Sequence, residues 1–199
     1  MNKDILLCGV GGQGTVLASK LIAAAAMSCG ETVHSAETIG MAQRGGAVTS
    51  HVRIGEKAYS PLIPEESADV ILAFEPAEAV RNLALLKKDG TVIVNRIPVK
   101  PVTESLQDTG YDGSEMIAYL QSKCRRLVVV DGEKISEKLG SARYFNVAIL
   151  GVAVGCGQIG LTAEAVLKEI ENRVPEKYRE MNQKAFDMGK QIGEAYAAQ

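Results

Sequence analysis

The chain has no tryptophan, two histidines and four cysteines among 199 residues, and each shortage closes a class of chemistry. Cys8, Cys29, Cys124 and Cys156 stand far apart and form no CxxC pair, so a zinc site or an iron–sulfur cluster lacks its ligand spacing. His34 and His51 have no ligand partners at useful spacing and read as packed or solvated side chains, so no metal is expected. No local Ser-His-Asp or Cys-His set is suggested, and "VVDGEK" lacks the first glycine and the downstream asparagine of a thiamine diphosphate metal motif. No catalytic residue is therefore assigned. A formal charge of −2 without a long basic run argues against a nucleic-acid surface, which needs clustered Lys and Arg. No apolar run approaches the roughly 20 residues of a membrane helix, and "MNKDILLCG" is too short in its apolar stretch for a signal peptide. These absences predict a cytoplasmic protein that neither binds nucleic acid nor enters a membrane.

What is present is enough apolar material, 46% of the residues, for an ordinary core without staples, and one domain over 1–199 is expected. Short apolar runs recur at 4–9, 32–36, 69–74, 91–95 and 127–131, and helical patterns at 76–88 and 114–124 separate several of them. Apolar strands alternating with helices predict a three-layer α/β/α Rossmann-like sandwich with a mostly parallel sheet. The segments 142–156, 162–174 and 175–197 predict a helical C-terminus, with Pro175 in the first turn of the last helix. Residues 45–63 alternate with period two and reverse at "GEK", which predicts an antiparallel hairpin inserted into the parallel fold.

The most unusual stretch is "LLCGVGGQGTVLASKL", where Gly9, Gly11, Gly12 and Gly14 lie between a strand and a helix. Such glycines let the backbone turn tightly and approach a phosphate at the positive end of the helix. The pattern is compatible with a dinucleotide site or with a purely structural turn. The ribose carboxylate that a dinucleotide site needs has only Glu37 as a candidate, late and in a glycine-containing loop. A second stretch, "ETIGMAQRGG", places Gln43 and Arg44 before Gly45 and Gly46, leaving the guanidinium open to an anion beyond the carboxyl ends of the strands. Gly189 and Gly193 fall four apart in the last helix, where each costs about 1 kcal/mol unless a helix or a partner packs closely there. Asn146 and Asn182 interrupt helical faces and must find partners if buried.

Taken together, "GVGGQG", "TVLASKLIAAAA", "ETIGMAQRGGAVTSHVRIG", "ARYFNVAILGVAVG" and "NQKAFDMG" resemble the gamma subunits of the 2-oxoacid:ferredoxin oxidoreductases, most closely the small (beta) subunits of the indolepyruvate enzymes. The resemblance covers nearly the whole chain. It implies that thiamine diphosphate and iron–sulfur clusters are held by a large partner subunit, that coenzyme A receives the acyl group, and that ferredoxin takes the electrons. By itself the chain then binds no cofactor and is inactive, and the surface it buries against the partner is open to self-association when isolated. The resemblance directs Gly9, Gly11, Gly12, Gln13, Gly14, Gln43, Arg44, Gly45 and Gly46 toward coenzyme A or the partner. The alternative is a free-standing Rossmann-type NAD(P)-binding oxidoreductase.

Overall fold

The computed structural model describes residues 1–40, 45–56, 58–100 and 110–198. Six strands, β1 (Lys3–Val10), β2 (Val33–Ile39), β3 (Ala47–Ile54), β4 (Ala68–Ala73), β5 (Leu86–Asn95) and β6 (Arg126–Val130), form one sheet in the order β2-β3-β1-β4-β5-β6. Ladders β1–β4, β4–β5 and β5–β6 are parallel, while β3 is antiparallel to both of its neighbours. The helices are α1 (Thr15–Ser28), α2 (Pro76–Arg81), α3 (Ser114–Lys123), α4 (Gly132–Leu139), α5 (Phe145–Gly155), α6 (Ala163–Arg173) and α7 (Glu176–Ala197).

Alternation along the strands splits the core in two. Ile5, Leu7, Val70, Leu72 and Ile93 face α1 and α4–α7, whereas Leu6, Cys8, Ile71, Ala73 and Val92 face α2 and α3. Burial on both faces explains why β1 and β4 read as nearly unbroken apolar runs. The three-layer α/β/α class expected from the sequence is borne out.

The antiparallel insertion is present, but its partners differ from the expected hairpin. The strand it contributes, β3, pairs with β2 and β1, and residues 58–63 form no strand. Both edges of β3 are already occupied, so the chain returning beyond Gly55 docks through side chains instead of a ladder. Arg53 Nη1 donates to the carbonyls of Ser60 (3.0 Å) and Leu62 (3.2 Å), and its other nitrogens bind Asp4. Buried His51 accepts the Ile63 N–H at Nδ1.

Burial, and then the Arg53 charge, lower the His51 pKa below its usual value. The folded state thus binds fewer protons, and stability from His51 is complete above its unfolded pKa of about 6.5 and lost as pH falls through the lowered folded value. Thermal midpoints measured between neutral and mildly acidic pH should fall less steeply for His51→Gln, which keeps an acceptor without a titrating group. Equal slopes would show that His51 does not sense pH.

Two other boundaries moved. The helix expected over 76–88 stops at Arg81, and after a short turn at Leu83–Leu85 the chain enters β5, because Lys87 and Lys88 lie on the early, exposed part of that strand. Helix α4, unassigned from sequence, is capped by Asp131, whose carboxylate accepts the Lys134 N–H. Pro175 precedes α7 as its cap residue instead of entering its first turn.

Helix α5 is apolar apart from Asn146 and buried from Phe145 to Val154, lying between the sheet and α7. The expected close approach at Gly189 and Gly193 is made by this helix. A Cβ on Gly189 would stand 1.8 Å from the Ala148 carbonyl oxygen, and one on Gly193 2.3 Å from that of Val152. Gly151 and Gly155 reciprocate, since a Cβ on either would stand 2.2 Å from an α7 carbonyl oxygen.

Candidate functional site

At the carboxyl edge, side-chain amides tie the strand ends together. Gln13 accepts the Val10 N–H at Oε1 (2.8 Å) and donates from Nε2 to the Phe74 carbonyl (2.9 Å). Asn95, on β5, donates to the same carbonyl and accepts the N–H groups of Ile97 and of Gly132 at the start of α4. The ends of β1, β4 and β5 are thereby held against α4. Gly9 is required by this arrangement, since a Cβ there would meet Gln13 Oε1 at 2.6 Å and Phe74 Cβ at 2.9 Å. Gly12 has φ +97° and open space where its side chain would be, so it presents bare backbone to the crevice.

That crevice, about 470 Å³, is lined by Gly12, Gln13, Asn95, Ser136, Arg143 and Phe145, with Glu133 at its side. A second, of about 420 Å³, shares Arg143 and runs toward Asn146, Arg173 and Tyr178. Between them Arg143 makes no ion pair with the described residues, whereas Arg173 is bonded to Glu169. Asn146 is buried against Gly14, where a Cβ would approach its Nδ2 to 2.5 Å. Asn182 satisfies its amide by donating to the Tyr178 carbonyl. A further groove of about 550 Å³, between α6 and α7, is ringed by Glu164, Lys168, Glu171 and Arg179 and lies away from the strand ends.

The described end of the second sequence motif meets the glycine turn, where Gly11 N–H donates to the Gly46 carbonyl (2.9 Å), while Gly40 N–H donates to that of Ala47 and extends the β2–β3 ladder. Gly45 takes φ +75° within this loop. Gly9, Gly11, Gly12, Gln13, Gly14, Gly45 and Gly46 are thus brought to one edge. Gln43 and Arg44 lie outside the described residues.

The same geometry departs from a dinucleotide fold. In such a fold the carboxylate for the ribose comes from the strand beside the first; here β3 occupies that place, and Glu37 on β2 lies two strand spacings away, roughly 9–10 Å. Glu37 instead accepts a long bond from Ser19 Oγ. The Gly11 amide is also spent on Gly46.

An acidic cluster beneath this edge was not read from the sequence, although "EPAE" is a helix-start signal. Glu75 caps α2 by accepting the Glu78 N–H and receives the Tyr111 hydroxyl at 2.5 Å. Glu78 is nearly buried and pairs with Arg81. Burial raises the Glu78 pKa against the opposing effect of Arg81, with Glu75 adding to the rise. Burial, and then the two carboxylates, push Cys8 well above the usual thiol value, so it remains a protonated, inert thiol. Tyr111 is likewise raised, by burial and by its bond to Glu75. Among the described residues no group of three His, Cys, Asp or Glu could hold a metal ion, and no helix is long and apolar enough to cross a membrane.

Fold and edge together define a Rossmann-like α/β/α sandwich whose glycine turn is buttressed by an inserted antiparallel strand. The pyruvate ferredoxin/flavodoxin oxidoreductase family model matches residues 4–192, and the chain belongs to that family. It is 40% identical over 190 residues to indolepyruvate oxidoreductase subunit IorB of Archaeoglobus fulgidus, covering 95% of this chain and 94% of that one. Identity to the common gamma subunit of the pyruvate/ketoisovalerate oxidoreductases of Pyrococcus abyssi is 31%, covering 92% and 95% of the two chains. Among solved structures, the gamma subunit of the keto/oxoacid ferredoxin oxidoreductase of Geobacter sulfurreducens superposes with a TM-score of 0.71 at 25% identity, covering 97% and 99% of the two chains. The fold also matches 31% of a Magnetococcus marinus 2-oxoglutarate:ferredoxin oxidoreductase chain, covering 98% of this chain at a TM-score of 0.73 and 21% identity. The resemblance to gamma-type small subunits of 2-oxoacid ferredoxin oxidoreductases is borne out.

Proposed function

We propose that this chain, acting as one gamma-type domain in the cytoplasm, is the small subunit of an indolepyruvate-type ferredoxin oxidoreductase that oxidatively decarboxylates aryl 2-oxoacids. The observation that carries this reading is the 40% identity to a named IorB subunit over nearly the full length of both chains. A large partner subunit holds thiamine diphosphate and the iron–sulfur clusters, which supply decarboxylation and electron transfer to ferredoxin. This chain contributes a preorganised edge. Gly11, Gly12, Gly14, Gln43, Arg44, Gly45 and Gly46 contact coenzyme A or the partner, and buried Gly9 with Gln13 holds the turn behind them. The bare backbone at Gly12 and the Arg143 guanidinium in the same crevice fit an anionic group on that substrate. The nicotinamide alternative is not favoured, because β3 occupies the strand position that ribose recognition needs.

Arg44→Ala in the assembled enzyme tests the edge. A charge-assisted hydrogen bond worth roughly 1.5–3 kcal/mol would be lost, raising the KM for coenzyme A about 10-fold or more, or weakening co-elution of the subunits. Wild-type kinetics together with intact assembly would remove Arg44 from the site.

A further inference from the structure

Strand β2 is the outermost strand on its side of the sheet. Its ladder to β3 is flanked by bonds from Gly40 N to Ala47 O and from Gly55 N to Thr32 O, both in the same register as the strand pairs. Antiparallel ladders alternate bonded and non-bonded pairs, so the even-numbered residues of β2 bond to β3. The backbone N–H and C=O groups of Val33, Ser35, Glu37 and Ile39 therefore point to the edge that no other described strand occupies.

This edge lacks the usual protection. It has no proline or lysine, its register with β3 is unbroken, and Glu37 is its only acid or base besides His34. Ile39 is 63% exposed. The opposite edge, β6, is shorter and bears Arg126.

We propose that the β2 edge pairs antiparallel with β2 of a second copy of this chain about a twofold axis at Ala36, joining two sheets into one. This register uses every outward residue of both strands. It sets Val33 opposite Ile39 of the second copy, a pair of β-branched side chains, and Ser35 opposite Glu37. Sliding by two residues one way places Glu37 against Glu37, like charges directly opposed; sliding the other way leaves Ile39 beyond the pairing strand. The sequence thus selects a single self-complementary register. This inference is independent of the proposed function and is decided on the full chain by itself.

Sedimentation of the full chain should show a dimer. Because Cys29 is exposed, cross-linking uses a Cys29→Ser background. Ala36→Cys should form a disulfide-linked dimer with oxidised glutathione, since facing residues at a non-bonded pair lie about 4.5 Å apart at Cα, within the span a disulfide bridges. Ser35→Cys, facing Glu37, should not. Ser35→Glu should raise the dimer Kd roughly 2- to 30-fold by placing like charges opposite at two symmetry-related positions, and Ser35→Lys should lower it. A monomeric wild-type chain, equal cross-linking by the two cysteine variants, or no response to the Ser35 charge would overturn the proposal. So would protection of β2 amides from hydrogen exchange only when the large subunit is added, which would assign the edge to that subunit.

Discussion

Gly189→Ala is expected to destabilise the chain by about 3 kcal/mol or more, at the upper end of what overpacking costs. The added methyl would lie 1.8 Å from the Ala148 carbonyl oxygen and 3.0 Å from the Val152 nitrogen, both backbone atoms of α5. That helix cannot retreat, because Val147, Ile149 and Leu150 are fully buried on it. Alanine gains up to about 1 kcal/mol of helix propensity over glycine, which the clash outweighs. Urea unfolding of wild type and variant measures the difference, with Lys184→Ala on the exposed face of α7 as a control expected within about 0.5 kcal/mol of wild type. A Gly189→Ala midpoint equal to that control would mean that α5 and α7 do not pack as described.

Gln13→Leu should cost about 2–3 kcal/mol, because it strands the Val10 N–H while the Phe74 carbonyl keeps only its bond from Asn95. Gln13→Glu distinguishes this from a loss of bulk. A carboxylate still accepts from Val10 N–H but opposes the Phe74 carbonyl, so the protonated acid is favoured in the fold and its pKa rises above the unfolded value of about 4.3. With a raised folded pKa, the recovered stability is present below the unfolded pKa and lost as pH rises through the folded one. The deficit of Gln13→Glu relative to wild type should therefore narrow as the pH falls, while that of Gln13→Leu should not. Parallel pH curves for the two variants would show that Gln13 does not pin the strand ends.

Much of this was legible in the sequence. Residues 4–9 and 69–74 are buried on both faces of the sheet and carry their own signal, and the glycine pair in α7 announced a close neighbour through its cost to helix propensity. The partner of β3 was not legible. Period-two alternation specifies a strand and its faces but not the edge it bonds, and the glycine at the "GEK" reversal was a stronger local hairpin signal than the loop between β2 and β3. Helix α4 was hidden because its cap, Asp131, directly follows an apolar strand and had been read only against a cofactor motif. Within the site, Gln13 was singled out as a contact for something outside the chain. Its oxygen and amide nitrogen both bind main-chain groups at adjacent strand ends, a long-range pairing that no local spacing encodes. The cluster of buried Glu75 and Glu78 with half-buried Tyr111 escapes local reading for the same reason, since Tyr111 stands 36 positions beyond Glu75.

Reconstitution decides whether this chain is the small subunit of such an enzyme. The proposed large subunit, holding thiamine diphosphate and clusters, is assayed for indolepyruvate-dependent, coenzyme A-dependent ferredoxin reduction with and without this chain, alongside the chain alone. The expected result is no turnover by the chain alone, little by the large subunit alone, and full activity that saturates as the chain is titrated in. Undiminished activity of the large subunit without this chain, or reduction of NAD(P) by the chain by itself, would contradict it.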